Sequence, residues 1–168
     1  MSNPWFAENL DGFVREEFEN LNAKRPDGAL YERERQYAAG EPVDIPLVSA
    51  DFTGSGTLTW TVLPKNLLTL AYSLTGMEML FAVGLSSTTV AGAGNILQVM
   101  LPGGFLAARR VDGATGVLND AGTLTSGTVF VSADSNVLKI ARTDQANFTA
   151  GTLTVTASLR FWVKSQAI

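Results

Sequence analysis

The spacing of apolar and polar positions changes once along this chain, near Asp51. Before that point Phe6, Leu10, Phe13, Val14, Phe18 and Leu21 recur at intervals of three and four, with Asp11, Arg15, Glu16 and Glu19 between them. This spacing predicts an amphipathic helix over about 3–20, with Ser2 or Asn3 as its cap and Pro4 at the favoured first position. Gly12 weakens its middle. Pro26-Asp27-Gly28 breaks the chain, and 29–39 reads as a second, shorter helix stopped by Gly40 and Pro42. Its apolar face is thin: Leu30, Tyr31 and Tyr37. Neither helix can bury enough to stand alone, so these positions, with Trp5, are expected to dock. They would dock on another subunit or a larger assembly, or on the chain's own β domain. Residues 41–49 read as extended, confined to a sheet edge or a linker by Pro42 and Pro46.

Beyond Asp51 the period becomes two. Leu58, Trp60 and Val62 alternate with Thr57, Thr59 and Thr61, as in a half-buried strand. Further strands are expected over 67–74, with Leu68, Leu70, Tyr72 and Leu74 on the better face, and over 77–83, 96–101 and 105–111. A weak strand lies near 117–118, and 128–133 with 137–142 flank Asp134-Ser135-Asn136 as a hairpin. The last strand is the clearest: Leu153, Val155, Ala157, Leu159, Phe161 and Val163 face inward, and Thr154, Thr156, Ser158, Arg160, Trp162 and Lys164 outward. Turn signals between these runs predict a mainly-β fold, an antiparallel, jelly-roll-like β-sandwich (52–168) behind a short N-terminal helical arm and linker (1–51).

Charge sharpens the division. Residues 1–51 hold 16 of the 28 charged side chains and no Thr, whereas 52–168 hold all 17 threonines. A net charge of -4 offers no long-range attraction to phosphate backbones or anionic lipids, so nucleic acid and membrane insertion are not expected as partners. No apolar run reaches the roughly 18 residues of a membrane helix. The chain has neither Cys nor His, which removes thiol nucleophiles, Ser-His couples and nearly every zinc site. Neither catalysis nor a cofactor nor a metal is expected.

The remaining motifs fit turns better than chemistry. Asp112, Asp120, Asp134 and Asp144 stand in turn contexts without the spacing of a calcium loop. Gly54-Ser55-Gly56, Gly92-Ala93-Gly94 and Gly103-Gly104 lack the Gly-Lys-Ser/Thr continuation of a phosphate loop. Trp162 is different, since the alternation puts it on the polar face beside Arg160. That fits a subunit contact, a sugar-stacking platform, or cover by a neighbouring loop. Outer faces rich in Thr and poor in charge also favour self-association.

The stretch from Thr59 to Phe105 resembles a β-sandwich module of tailed-bacteriophage virion proteins, found at fibre tips, in head fibres and in decoration proteins. The residues that carry the likeness are a Thr/Trp strand, Tyr72 to Gly76, a Thr/Gly-rich linker from Ser86 to Gly94, and Leu101-Pro102-Gly103-Gly104. The Val137–Arg142 strand and the long Thr-alternating final strand extend it over roughly 53–164. The resemblance implies a jelly-roll-like fold, homotrimeric assembly, and display on a virion assembled in the host cytoplasm. The implied role is particle decoration, or receptor contact with host-surface polysaccharide. A charged arm stands where a fibre shaft would be, which favours a short exterior appendage gripping a capsid or tail protein.

Overall fold

The computed structural model describes residues 40–164. The two expected helices, with the docking positions Trp5, Phe6, Leu10, Phe13, Val14, Phe18, Leu21, Leu30, Tyr31 and Tyr37, lie outside the described residues. Eleven strands account for most of the rest: β1 (Val43–Asp44), β2 (Phe52–Gly54), β3 (Thr59–Thr61), β4 (Leu67–Thr75), β5 (Glu78–Ala91), β6 (Ile96–Met100), β7 (Leu106–Ala107), β8 (Val111–Asp120), β9 (Thr123–Val131), β10 (Val137–Arg142) and β11 (Gly151–Lys164). Every pairing is antiparallel, so the chain is mainly β, as its period-two patterning predicts.

The hydrogen bonds run through one continuous sheet in the order β1-β4-β5-β11-β8-β9-β10-β6-β2, with β3 added to β5 and β7 to β11. Alternation makes one face of this sheet apolar, and an apolar face must be covered. Here the sheet covers itself by curling. Phe81, Phe161, Met79, Leu97, Leu118, Leu138 and Ile140, from strands all around the curl, belong to one buried cluster. The ends meet where Phe52 of β2 packs edge-on against Trp60 of β3, ring centroids 5.3 Å apart at 88°.

Two glycine-containing loops lock this seam. Thr57 N donates to Ala93 O (3.1 Å), Ala93 N to Thr57 Oγ1 (3.1 Å), and Ser55 N to Ile96 O (2.9 Å). A Cβ on Gly92 would collide with the carbonyl of Thr57, and one on Gly94 with that of Ser55. Gly54-Ser55-Gly56 and Gly92-Ala93-Gly94 are therefore two halves of one closure.

β5 and β11, 14 residues each, run the length of the curl side by side. Their register slips between Leu153 and Val155, and on β5 Ser87 takes a left-handed backbone (φ 54°). Such a bulge bends a strand and releases backbone groups from the ladder. Side chains recover them. Buried Asn66 donates to Ser86 O (3.0 Å) and Ser87 O (2.9 Å) while accepting from Leu63 N (2.8 Å). Thr154 Oγ1 accepts from Ser87 N (3.3 Å), and buried Thr88 Oγ1 donates to Leu153 O (2.8 Å) and accepts from Trp60 Nε1 (2.9 Å).

Several boundaries differ from the sequence reading. The Ser86–Gly94 linker is largely strand, because β5 continues to Ala91 with β11 on one side and β3 on the other; pairing outweighs weak local propensity. Leu68 is 66% exposed rather than inward, since a register shift between Leu67 and Thr69 turns it out. The strand expected over 105–111 is reduced to β7, and β8 begins at Val111. The weak strand near 117–118 is a full ten-residue strand, turned into β9 by Ala121 and Gly122, both at positive φ as a tight two-residue hairpin requires. Val43, Ile45 and Leu47 pack on the core from the extended segment, where β1 forms the short edge beside β4.

The bulge makes a clear prediction. Thr88→Val removes the partner of the buried Trp60 indole N–H and of Leu153 O, and Asn66→Ala removes the partner of the Ser86 and Ser87 carbonyls and of Leu63 N. Each should lower unfolding free energy by about 1–3 kcal/mol per orphaned group. Thr88→Ser should restore most of the loss, measured by urea denaturation.

Candidate functional site

Three features of the outer surface and the end of the curled sheet combine unusual residues with defined geometry. The first is a face without charge. Cross-strand register aligns Thr69, Gly84, Thr156, Val117 and Ser126 in one row over β4, β5, β11, β8 and β9. Beside it lie Ala71, Ala82 and Ser158 on one flank and Thr154, Asn119 and Leu124 on the other. None of these is ionisable, and the exposed Asp44 of β1, opposite the buried Ala71, ends the first flank at the sheet edge. Val117 is 54% and Leu124 74% exposed.

The second is Trp162, on the same outer side toward the C-terminal end of β11. It is 46% exposed, as the alternation predicts, opposite Glu78 in register. Arg160 Nη1 donates to Glu78 Oε2 (3.4 Å), and Lys164 pairs with Asp134, so the indole lies between two exposed ion pairs. Exposed pairs of this kind contribute little to stability.

The third was not evident from the sequence. Asp120, expected in a surface turn, ends β8 on its inward phase with its side chain fully buried. Arg142 Nη1 donates to Asp120 Oδ2 (2.5 Å), and Thr149 donates to the same carboxylate through N (3.1 Å) and Oγ1 (3.2 Å). The far side of the guanidinium grips Asp144 in two-point fashion, Nε to Oδ1 (3.0 Å) and Nη2 to Oδ2 (2.7 Å). Asp144 Oδ1 also accepts from Ala146 N (3.1 Å). The bond to Asp144 raises the Arg142 pKa above its already high value, and Asp120 adds to this. The bond from Arg142, then the one from Ala146, holds the Asp144 carboxyl below the usual carboxylate range. An Arg-x-Asp spacing, repeated at Arg110 and Asp112 (Nε to Oδ2, 2.6 Å), was the available signal.

This node welds β8, β10 and the 142–149 turn at one end of the curl. Among the described residues no group of three or more His, Cys, Asp or Glu is placed to hold a metal ion. Comparison with family models, with curated proteins and with solved structures returned no match.

Arg142→Ala strands the buried Asp120 carboxylate and should destabilise the fold by about 3–5 kcal/mol, read from urea midpoints. Asp144 acts differently because it is half exposed. Its lowered pKa gives stability that is present above the ordinary carboxylate range and lost as pH falls through the folded value. Asp144→Asn should therefore melt lower than the parent at neutral pH, with the two melting curves converging under acid conditions.

Proposed function

We propose that this chain is a structural protein of a tailed-phage particle. In this reading it is a short exterior appendage or decoration protein whose β unit self-associates, as a homotrimer, through the uncharged face, while its N-terminal arm and linker (1–51) attach it to a capsid or tail protein. The observation that supports the reading best is the uncharged face itself. Soluble β proteins protect exposed sheet surface and edges with Lys, Glu and Pro, and this one carries Thr, Ser, Ala and Gly around two exposed aliphatics. Small side chains allow close approach of a second sheet face, and interface cores are depleted in charge. Trp162, at the border of the face, suits an aromatic anchor at the rim of such a contact. The trimeric state and the particle setting rest on the resemblance of Tyr72 to Gly76 and Leu101 to Gly104 to virion modules.

Light scattering on the full chain at micromolar concentration should give three times the chain mass. The double variant Val117→Lys, Leu124→Asp should give a folded monomer by circular dichroism and scattering. A wild-type monomer would refute self-association. The genes flanking this one supply a separate check on the particle: capsid genes point to decoration of the head, and tape-measure or baseplate genes to the tail.

A further inference from the structure

The curl is sealed along only part of its seam. Phe52 and Trp60 close it at β2 and β3, but β2 pairs with β6 no further than Val99, and β1, at the opposite end of the strand order, pairs with β4 alone. Between β1 and the residues that follow β6 a groove of about 420 Å³ stays open. Val43, Ile45 and Val48 line one wall and Met100, Leu101 and Pro102 the other, and Val48 and Met100 are 51% and 40% exposed. The charged residues of the lining, Asp44 and Asp51, are both acidic, and neither side chain has a partner among the described residues.

We propose that residues 29–39 of this same chain fold back into the groove as a strap that completes the seam. Position, backbone and charge choose this occupant over any other. The described chain begins at Gly40, three residues before β1, so the segment is tethered at the mouth of the groove and meets it at high effective concentration. Gly40 takes φ 67°, the left-handed backbone that commonly stands just past the end of a helix, and it does so against β4, where a Cβ would meet Thr75 Oγ1 at 2.8 Å. A helix over 29–39 that ends in this way is turned back toward the extended segment after it. At about 1.5 Å per helical residue Arg33 falls about 10 Å back from Gly40, and at about 3.3 Å per extended residue Asp44 stands about 13 Å ahead, so the reversal brings the two nearly level. The segment balances Arg33 and Arg35 against Glu32 and Glu34, and its apolar residues Leu30, Tyr31 and Tyr37 suit the walls. The stretch 3–20 carries Glu8, Asp11, Glu16, Glu17 and Glu19 against Arg15 alone, a charge that two unpaired carboxylates repel. On the structural reading above, the strap leaves residues 1–28 as the part of the arm that grips the particle.

Hydrogen exchange of the full chain, read by mass spectrometry, tests the strap. Amides in 29–39 should be protected about tenfold or more over those in 3–20. Val48→Lys combined with Met100→Lys, both at exposed positions, should remove that protection while circular dichroism shows an unchanged fold. Asp44→Lys should weaken it about two- to fivefold, the size expected of an exposed ion pair, and Arg33→Glu in the same chain should restore it. The variant Val117→Lys, Leu124→Asp should keep it, because the strap belongs to its own chain. The proposal is overturned if 29–39 exchanges as fast as 3–20, if protection survives the paired groove substitutions, or if Arg33→Glu fails to reverse the effect of Asp44→Lys. Protection that falls on dilution, or in the Val117→Lys, Leu124→Asp variant, overturns it as well, since the occupant is then a second copy's segment. Light scattering on the same samples reports self-association separately, so failure of the strap and failure of the structural reading are told apart.

Discussion

A single β-sheet with one apolar face is unstable until that face is covered, and this chain covers it by bending its two longest strands. At about 3.3 Å per residue, β5 and β11 are each more than 40 Å long, too long to lie straight over a core this size. The bulge at Ser87 turns β5, and β11 follows it across the slip between Leu153 and Val155. The turn takes backbone carbonyls and an amide at Ser86 and Ser87 out of the strand ladder. Asn66, Thr88 and Thr154 supply their partners, and Thr88 in turn receives the indole of Trp60, the residue against which Phe52 closes the seam. Closure thus depends on a few buried polar side chains as much as on the aliphatic core.

Curling divides the outer surface into two chemically different halves. Over β4, β5, β11, the second half of β8 and the start of β9, the aligned outward positions are uncharged and mostly small, with Leu68, Val117 and Leu124 exposed among them, and an ion pair stands at the Glu78–Arg160 end. Over the rest of β9, β10, β6 and β2, the row Asp112, Phe130, Lys139, Gln98 and Thr53 is polar, charged and aromatic, with Thr53 Oγ1 bonded to Gln98 Oε1.

How much of this could be read in advance depended on whether each strand carried its inward positions as large apolar residues. β11 did, and all six of its expected inward residues, Leu153 through Val163, are buried. β8 and β9 did not. Their inward phase includes Gly116 and Gly127, and a Cβ on Gly127 would meet Leu118 Cδ1 at 2.9 Å. A core that needs glycine at those points erases the hydrophobic signal where the strand runs. The far half of β5 failed for another reason: the bulge interrupts the period, and of its buried residues Thr88 and Val90 one is polar. Trp162 was legible because an exposed aromatic breaks a pattern of threonines. The Arg142 node was not, since Asp120, Arg142, Asp144 and Thr149 come from separate segments and converge only when β8 and β10 are folded to the same end.

The Arg142 node shows why the most expensive interaction in the described fold is where it is. A buried ion pair seldom stabilises more than an apolar replacement would, because desolvating both groups offsets their attraction. What the pair supplies here is position. Asp120, at the end of β8, cannot rest in the core without Arg142 and Thr149, and Arg142 cannot reach it without leaving its other edge to Asp144. The turn that follows β10 is therefore fixed by the same guanidinium that holds the end of β8, and Gln145 is carried on that turn. Had the end of the curl been sealed with leucine, the core would be as dry, but the turn after β10 would have only its backbone bonds and Thr143 to hold it.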